Sequence, residues 1–575
     1  MTFICFPYNN STCEKQDSLI DLRHYYDRAE KNMKVEPKLV LNNKLLQKTE
    51  ADGSSFPSGG LRETHSARAY TLRDPHSEIF IRKSTKLMYV PSLLVAHNGE
   101  ALDDKGIFRK AERIMKKSCD SLLTKLGKRP LNIVLNLGLE QEFFVVPKKA
   151  FENRPDLKTC GRALVGSIGA KSQQFSDHYY AKIPHQIESI LKDVEKEFLE
   201  IGIALKTKHN EVAPNQFEYA AVFCDAGKAI DQNMVAMKIL EEHFDKNGFS
   251  VLFHEKPFQE INGSGKHANW SLGFTDSNGK VINLFAPPSE KEPKKREEET
   301  KLFRLFILIT LSALKNHNAL YFGSIAPPGN EIRLGGHEAP PRIISAFLGS
   351  TVNKIVDGVE APEPANLKDK LPFLLQDTYQ EDTDRNRTSS FPYAGNRFEF
   401  RALGSTQNAA WPMAIICATL ASEMKKVEAK LYEGKTLDEV INELLEDTRS
   451  VRFDGNGYNK AWADEAEKRG LYVNKSWSDI LEKLHKEVQV FEDIGACSKS
   501  EIQGKVNCSK ELYCKTVELE AKTLCNLSQQ KIIPRAMKYL QTLNSINTES
   551  RKISQYAKKY VDLLENSMGE LEKLE

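Results

Sequence analysis

The stretch "LNIVLNLGLEQEFFVV", residues 131 to 146, is the starting point for interpreting this chain. Its long apolar run predicts a strand that is buried in a sheet. Glu140 and Glu142 stand two residues apart, so both carboxylates project from one face of that strand. Two like charges on a buried strand repel each other unless a cation holds them. The pair therefore indicates either a cation site or a sheet end where both acids meet water.

A second acidic pair lies in "HNEVAPNQFEYAAVF", residues 209 to 223. Glu211 falls at a proline-containing turn, and Glu218 falls inside the strand-like run that follows. By itself, this pattern is typical of a hairpin with two structural acids.

The stretch "NRFEFRALG", residues 396 to 404, alternates charged and aromatic side chains. On a strand, Arg397, Glu399 and Arg401 share one face and the two phenylalanines take the other. A half-exposed strand with ion pairs across its surface would show the same alternation.

The stretch "NGSGKHANWSLG", residues 262 to 273, has the glycines and lysine of a phosphate-binding loop but fails that pattern twice. Glu260 stands where the first glycine is required, and His267 replaces the Ser or Thr that follows the lysine. If the apolar run is a strand, His267 and Ser271 face the same side. A lone histidine at such a position is usually structural.

Taken together, these stretches indicate a site for hard metal ions. Five glutamates and one histidine, without thiolates, suit Mg²⁺ or Mn²⁺ rather than zinc. Such ions favour phosphoryl transfer from a nucleotide, in which arginines also neutralise charge. Arginines available for that task are Arg333, Arg385, Arg387, Arg397 and Arg401.

Composition excludes several other classes of function. With 81 basic and 79 acidic residues, the chain has no overall field that favours nucleic acid or an anionic membrane. The apolar run "LFRLFILITLSAL" is too short to span a bilayer and predicts a buried helix. Ten cysteines without CxxC pairs favour free thiols in a reducing compartment. The start of the chain does not resemble a secretion signal, so the expected compartment is the cytoplasm.

The pattern along the chain predicts three regions. Residues 1–82 are mixed and loop-rich, 83–408 alternate strands with helices, and 409–575 are mostly helical. The segment "VRFDGNGYNKAW" interrupts the last region. The charge run "EKEPKKREEETK", residues 290 to 301, is expected to be a solvated loop.

The order of these stretches resembles type III glutamine synthetases. "DGSSFPSGGLRETHSARAYTLRDPHSEIFI", "LGLEQEFFVV", "HNEVAPNQFEYA", "NGSGKHANWSL", "RLGGHEAPPRIISAFLG", "DRNRTSS" and "NRFEFR" occur in the family's order and with similar spacing, and "FDGNGYNKAWADEAEKRGL" is also family-like. The resemblance implies an α+β fold, with an N-terminal β-grasp-like domain, a curved antiparallel catalytic sheet with helices, and a helical C-terminal extension. It also implies ATP-dependent ligation of ammonia to L-glutamate, through γ-glutamyl phosphate, with two Mg²⁺ or Mn²⁺ ions per site.

The resemblance assigns roles by motif position. The ion nearer glutamate and ammonium would be held by Glu142, Glu211 and Glu218, and the ion that bridges the ATP phosphates by Glu140, His267 and Glu399. Glutamate would be bound by Asn262, Gly263, Arg333 and Arg401, and ATP by Arg387, Arg397 and Ser271. Glu338 would lie on a flap over the intermediate, and Asp52 would reach a neighbouring subunit's site to deprotonate ammonium. The expected assembly is a double hexameric ring, a dodecamer.

The chain also departs from the family pattern. The first strands of the β-grasp domain are expected to be missing, and the C-terminus to stop early. The stretch "NEIR" stands where N-D-H-R is usual, "KHANW" replaces K-H-N-N-W, and a second arginine after Arg387 has no clear match. Two alternatives stay open: an inactive relative kept as a structural or regulatory subunit, and a ligase that joins activated glutamate to another amine.

Overall fold

The computed structural model describes most of the chain after residue 68, and only short backbone segments before it. The described residues are 3–7, 40–41, 44–45, 57–58, 61–62, 69–167, 169, 173–289, 291–336, 338–359, 366–373, 376, 384, 388–473, 475–545 and 551–572. Asp52 and Arg387, which carry two of the expected roles, lie outside the described residues.

Eighteen strands are present in this part of the chain. They are β1 Phe3–Pro7, β2 Val40–Leu41, β3 Lys44–Leu45, β4 Pro57–Ser58, β5 Leu61–Arg62, β6 Tyr70–Arg73, β7 Phe80–Arg82, β8 Leu87–Val95, β9 Asn132–Pro147, β10 Leu205–Asn210, β11 Gln216–Ala221, β12 Cys224–Asp225, β13 Phe249–Leu252, β14 Lys266–Thr275, β15 Val281–Asn283, β16 Ala346–Phe347, β17 Phe391–Pro392 and β18 Phe398–Phe400.

Eighteen α-helices accompany them in the described residues. They are α1 Asp104–Lys125, α2 Lys148–Glu152, α3 Pro155–Cys160, α4 Asp177–Tyr180, α5 His185–Glu200, α6 Ala226–Lys246, α7 Pro293–Asn316, α8 Asn318–Ser324, α9 Pro328–Arg333, α10 Ser350–Asp357, α11 Ala410–Tyr432, α12 Leu437–Asp447, α13 Lys460–Lys468, α14 Trp477–Glu487, α15 Gln489–Asp493, α16 Lys499–Leu527, α17 Ile533–Ser545 and α18 Arg551–Glu572.

The central element is an antiparallel sheet built on β9, the strand predicted from residues 131–146. β9 pairs with β14 along one edge and with β12, β11 and β13 in turn along the other. β10 extends the sheet beyond β11, while β15 and β18 pair with the far edge of β14. The expected antiparallel sheet with helices is therefore confirmed, as is the mixed α+β class.

Alternation along β9 separates the core from the opposite face of the sheet. Leu135, Leu137 and Leu139 are buried in the largest core cluster, where helices α1, α7 and α11 cover the sheet. The intervening positions, which include Glu140, face the other way. The predicted buried helix is confirmed as part of α7.

The charge run at residues 290–301 was predicted as a loop, and this was wrong. Residues 291–299 are exposed, but α7 already begins at Pro293. Proline suits the first turn of a helix, and the Lys and Glu that follow are good helix formers, so local propensity favours helix over loop.

Buried ion pairs attach the strands β6–β8 to the helices of the catalytic sheet. Lys105 Nζ of α1 lies 3.0 Å from an Asp74 carboxylate oxygen and 2.6 Å from one of Asp231 on α6. Arg82 of β7 lies 2.8 Å from Glu197 of α5. These charges are almost fully buried, so each needs its oppositely charged partner nearby. The ion pairs therefore fix strands β6–β8 against helices α1, α5 and α6.

The C-terminal helices share the core of the catalytic sheet. The cluster that contains Leu135 also contains Leu444, Trp462 and Val506. The helical pattern predicted after residue 409 is confirmed, while the domain boundaries at residues 82 and 408 stay predictions. None of the described helices is long and apolar enough to cross a membrane.

Candidate active site

The register of four strands brings the acidic residues into one cluster. Glu142 on β9 lies opposite Glu218 on β11, and Glu140 lies opposite His267 on β14. One step further, Glu399 on β18 pairs with Asn269 on β14. Directly opposed side chains in a sheet are close neighbours, so motifs that are far apart in sequence meet on one face.

His267 lies at the centre of this cluster. Its Nδ1 is 3.1 Å from Glu140 Oε2 and 3.2 Å from Glu399 Oε1, and its Nε2 is 3.6 Å from Glu142 Oε1. Burial opposes the charged form, but hydrogen bonds with Glu140 and Glu399 outweigh it and raise the pKa of His267 to about 10. His267 thus hydrogen-bonds to two of these carboxylates and lies beside the third, and Arg401 adds a second cation next to Glu399.

His209, which the sequence analysis did not select, plays the same part for the second acidic pair. Its Nε2 lies 3.2 Å from Glu211 Oε1 and 3.0 Å from Glu218 Oε2. Hydrogen bonds to these two carboxylates raise the pKa of His209 to about 10. The sequence signal that could have identified His209 is its position two residues before Glu211, on a strand that pairs with β11.

The donor set fits the hard metal ions that the family implies. Glu140, Glu218 and His267 offer ligand atoms within 4.8 Å of one another, and so do His209, Glu211 and Glu218. Glu218 belongs to both groups, and burial raises its pKa well above the usual range. Glu218 Oε1 and His267 Nε2 are buried without a hydrogen-bond partner among the described residues. Buried carboxylate and imidazole atoms left in this state are suited to divalent cations.

Asn262 and Glu338 meet at one side of the site. Asn262 Nδ2 donates to Glu338 Oε2 at 3.1 Å. Gln173 fixes the asparagine through two further bonds, accepting from the Asn262 backbone N–H at 2.8 Å and donating to Asn262 Oδ1 at 2.9 Å. Gln173 was missed because it comes from an irregular stretch 89 residues away, where no local pattern marks it.

The glycines of the "NGSG" turn are required by neighbouring protein atoms. A Cβ at Gly263 would lie 2.2 Å from the Glu255 carbonyl oxygen, and one at Gly265 would lie 2.2 Å from a guanidinium nitrogen of Arg333. Gly265 N also donates to Glu142 Oε2 at 2.9 Å. The turn thus places buried Arg333 beside the carboxylate cluster.

Two more of the predicted arginines attach to the same cluster. Arg401 Nε lies 3.2 Å from Glu399 Oε1, and its NH1 lies 3.1 Å from Asp384 Oδ2. Arg397 Nε donates to Asn269 Oδ1 at 2.8 Å. Asn269 in turn donates to Glu140 Oε1 at 3.0 Å.

Ser271 lies on the same strand, four residues beyond His267. It is 9% exposed and accepts a long hydrogen bond of 3.5 Å from Asn136 Nδ2. Ser271 thus shares a strand with His267, but its hydrogen bond goes to Asn136 and not to the carboxylate cluster. Asp52 and Arg387 lie outside the described residues.

A carboxylate-lined site of this kind on an antiparallel sheet agrees with three matching family profiles. "Glutamine synthetase type III N terminal" matches residues 1–111, "Glutamine synthetase, catalytic domain" residues 119–323, and "Glutamine synthetase C-terminal domain" residues 436–551. Fold and site thus define the glutamine synthetase class.

Relatives that match over nearly the whole chain identify the family within this class. A glutamine synthetase of Bacteroides fragilis (strain YCH46) is 36% identical over 93% of this chain and 73% of its own length. A type-3 glutamine synthetase of Dictyostelium discoideum is 34% identical over 94% and 74%. A solved structure described as "Apo GmaS without ligand" has a TM-score of 0.46 and 15% identity, covering 77% of this chain and 82% of its own. The chain belongs to the type III glutamine synthetase family.

Proposed function

We propose that this chain synthesises glutamine from glutamate and ammonium at the expense of ATP, through γ-glutamyl phosphate. The observation that carries the proposal is the cluster of carboxylates and imidazoles at the central sheet, with Arg401 beside it. Its members are Glu140, Glu142, Glu211, Glu218, Glu399, His209 and His267. Such a site can neutralise both a transferring phosphoryl group and the carboxylates of an acidic substrate.

Two groups of side chains would hold the metal ions. Glu140, His267 and Glu399 would hold the ion on the ATP side, and Glu142, Glu211 and Glu218 the ion on the glutamate side. His209 contacts the second group, so its proton would leave as that ion binds. When bound, the two ions would neutralise phosphate charge and orient the substrates.

The chain's own residues bind and orient the substrates. Arg333 and Arg401 would grip glutamate carboxylates, because a guanidinium presents a planar pair of donors. Arg401 would exchange its Asp384 partner for the substrate, which keeps the buried charge paired throughout. Asn262 and Gly263 would bind the backbone groups of glutamate.

On the nucleotide side, ATP would be held by Arg387, Arg397 and Ser271. The glutamate γ-carboxylate then attacks the terminal phosphorus, and Arg387 stabilises the charge that develops on the phosphoryl oxygens. The products of this step are γ-glutamyl phosphate and ADP.

The second half of the reaction needs a base and the exclusion of water. Asp52 and Glu338 would bind ammonium and take its proton, and the ammonia formed would displace phosphate from the acyl carbon. The turn that carries Glu338 contacts Asn262, so it lies over the glutamate side of the site. Covering the intermediate matters because water would hydrolyse an acyl phosphate.

The proposal includes an assembly and a compartment. If Asp52 serves a neighbouring subunit, the working form is a ring, and a double hexameric ring is the arrangement that the resemblance implies. The eight cysteines from Cys119 to Cys525 are free thiols, which favours the reducing conditions of the cytoplasm.

The decisive experiment measures glutamine, ADP and phosphate formed by the purified chain with ATP, glutamate, ammonium and Mg²⁺. Equal amounts of the three products are expected, and none should form without glutamate. A chain that turns over with methylamine or ethanolamine but not with ammonium would be a ligase for another amine. A folded chain that is inactive with every amine would be a structural or regulatory subunit.

A further inference from the structure

The segment "FDGNGY", residues 453–458, has no role in the reaction described so far. It is the part of the C-terminal region that interrupts the helices, between the 3₁₀ turn Thr448–Val451 and helix α13. Phe453 stacks on Trp462 with ring centroids 3.7 Å apart, which ties the start of the segment to α13. The rest of the segment runs along the catalytic site.

Two attachments hold this segment against residues 348–349 and Thr388. Asp454 Oδ1 accepts from the backbone N–H groups of Leu348 at 2.9 Å and Gly349 at 3.3 Å. Gly457 lies so close to Thr388 that a Cβ would be 2.2 Å from the Thr388 carbonyl oxygen. Thr388 directly follows Arg387, the residue expected to bind ATP.

The third attachment reaches the turn of Glu338. The Tyr458 hydroxyl donates to the carbonyl oxygen of Ala339 at 3.0 Å. Glu338 itself has a φ of 55°, a left-handed conformation that is costly for a glutamate and persists only where its surroundings fix it. The bond from Tyr458 to the next residue and the bond from Asn262 to the Glu338 carboxylate fix the two ends of this conformation.

The charges around Tyr458 are those of the glutamate side of the site. Burial raises the pKa of its hydroxyl to about 12, with the carboxylates of Glu338 and Asp384 adding to the shift and Arg333 and Arg401 opposing it. The hydroxyl therefore stays protonated at neutral pH and acts as a donor.

We propose that Tyr458 is a positioning residue that holds the turn of Glu338 in its left-handed conformation over the acyl phosphate. The C-terminal region thereby supplies one wall of the active site. This inference rests on the proposed function, since it concerns the group that would deprotonate ammonium and shield the intermediate.

The inference has a chemical consequence. When the turn opens, water can attack the acyl carbon of γ-glutamyl phosphate, a C–O bond to water forms, and the bond to phosphate breaks. Glutamate is regenerated, and the net reaction is hydrolysis of ATP to ADP and phosphate. Loss of the Tyr458 hydroxyl should therefore uncouple ADP release from glutamine formation.

The test compares Tyr458→Phe with Tyr539→Phe, a matched loss of a hydroxyl from an exposed tyrosine on α17. ADP and glutamine are measured in the same reaction at ammonium below its KM. We expect Tyr458→Phe to release about two- to tenfold more ADP per glutamine, the range that one hydrogen bond between neutral groups contributes to an equilibrium. Tyr539→Phe should keep the wild-type ratio.

A second measurement does not depend on turnover. Hydrogen exchange in peptides that cover Glu338 and Ala339 should be faster in Tyr458→Phe without substrates, with α13 peptides unchanged. Unchanged exchange together with an unchanged ADP-to-glutamine ratio would overturn the inference. A wild-type chain that makes no glutamine would refute the proposed function instead, while faster exchange in the variant would still support the contact.

Discussion

Glu218 is the residue at which the two groups of candidate ligands meet. Its carboxylate lies 3.0 Å from His209 and within reach of Glu140 and His267. Hydrogen bonds with the neighbouring carboxylates raise the pKa of both histidines to about 10. Metal binding at this site should accordingly release protons.

The first prediction concerns the ligands themselves. Glu140→Ala should abolish ATP-dependent synthesis, because it removes a carboxylate from His267 and from the ATP-side ion. When Mn²⁺ binding is measured by calorimetry or electron paramagnetic resonance, Glu140→Ala should bind one ion fewer per site than the wild type. The matched control is Glu241→Ala, an exposed glutamate of α6, which should retain both sites. Near wild-type turnover of Glu140→Ala at modest metal concentration would show that the ligand assignment is wrong.

The second prediction concerns Gly265. Alanine there would place its Cβ 2.2 Å from a guanidinium nitrogen of Arg333, and this buried side chain would have to move. Because Arg333 is proposed to grip glutamate, Gly265→Ala should raise the KM for glutamate by about tenfold or more, the effect of one displaced charged contact. The KM for ATP should change much less.

The control for this substitution is Gly504→Ala, in the second turn of helix α16. A Cβ at Gly504 meets nothing within 4 Å. This change should leave both KM values unaltered and raise the free energy of unfolding by about 0.5–1 kcal/mol, since alanine is the better helix former. If the KM for glutamate is equal in Gly265→Ala and Gly504→Ala, the proposal that Arg333 binds glutamate is wrong.

At the scale of elements, the local pattern predicted the strands of the site well. Alternation on β9, β14 and β18 correctly indicated which side chains share a face, because that periodicity is a property of the backbone. What it could not indicate was the pairing of strands, which depends on contacts far apart in sequence. His209 was missed for this reason. Gln173 and the attachment of Tyr458 to the turn of Glu338 were missed because these residues lie in irregular stretches, where no periodic pattern marks a contact.

The third prediction belongs to the junction between strand β7 and helices α5 and α6. Burial tends to raise the pKa of Glu197, but hydrogen bonds from His243, Arg82 and Ser84 hold it well below the usual range. A carboxyl group with a depressed pKa in the folded state stabilises the protein fully above its unfolded pKa of about 4.3, and this stabilisation is lost as the pH falls below it. The junction should therefore weaken in acid.

This prediction is tested with urea unfolding at pH 7 and at about pH 3, which lies between the unfolded pKa and the depressed folded pKa of Glu197. The wild-type free energy of unfolding should fall across this interval, and that of Glu197→Gln should be lower at pH 7 but fall less. Glu200→Gln, an exposed glutamate at the end of the same helix, is the comparison variant. An equal pH dependence in wild type and Glu197→Gln would show that this junction does not contribute to acid sensitivity.

At the scale of the whole molecule, one core joins the catalytic sheet to the C-terminal helices. Residues from Ala101 to Val506 contribute to this core. The 453–458 segment of the C-terminal region contacts the turn that carries Glu338. The catalytic part therefore depends on the C-terminal helices for its stability. The resemblance implied a helical C-terminal extension but not its shared core, because sequence patterns show which faces are apolar and not what covers them.

The last prediction concerns the proposed sharing of sites between subunits. If Asp52 serves a neighbour, Asp52→Ala and Glu140→Ala chains are each inactive alone, yet a mixed ring contains sites with both groups intact. Random mixing in equal amounts should restore activity at about a quarter of the sites, since a working site needs one chain of each kind in a fixed order around the ring. Glu140→Ala mixed with Glu399→Ala is the matched control, because both changes fall on the same chain's cluster. That mixture should stay inactive. If Asp52→Ala and Glu140→Ala fail to complement under conditions where subunits demonstrably exchange, each site must be complete within one chain.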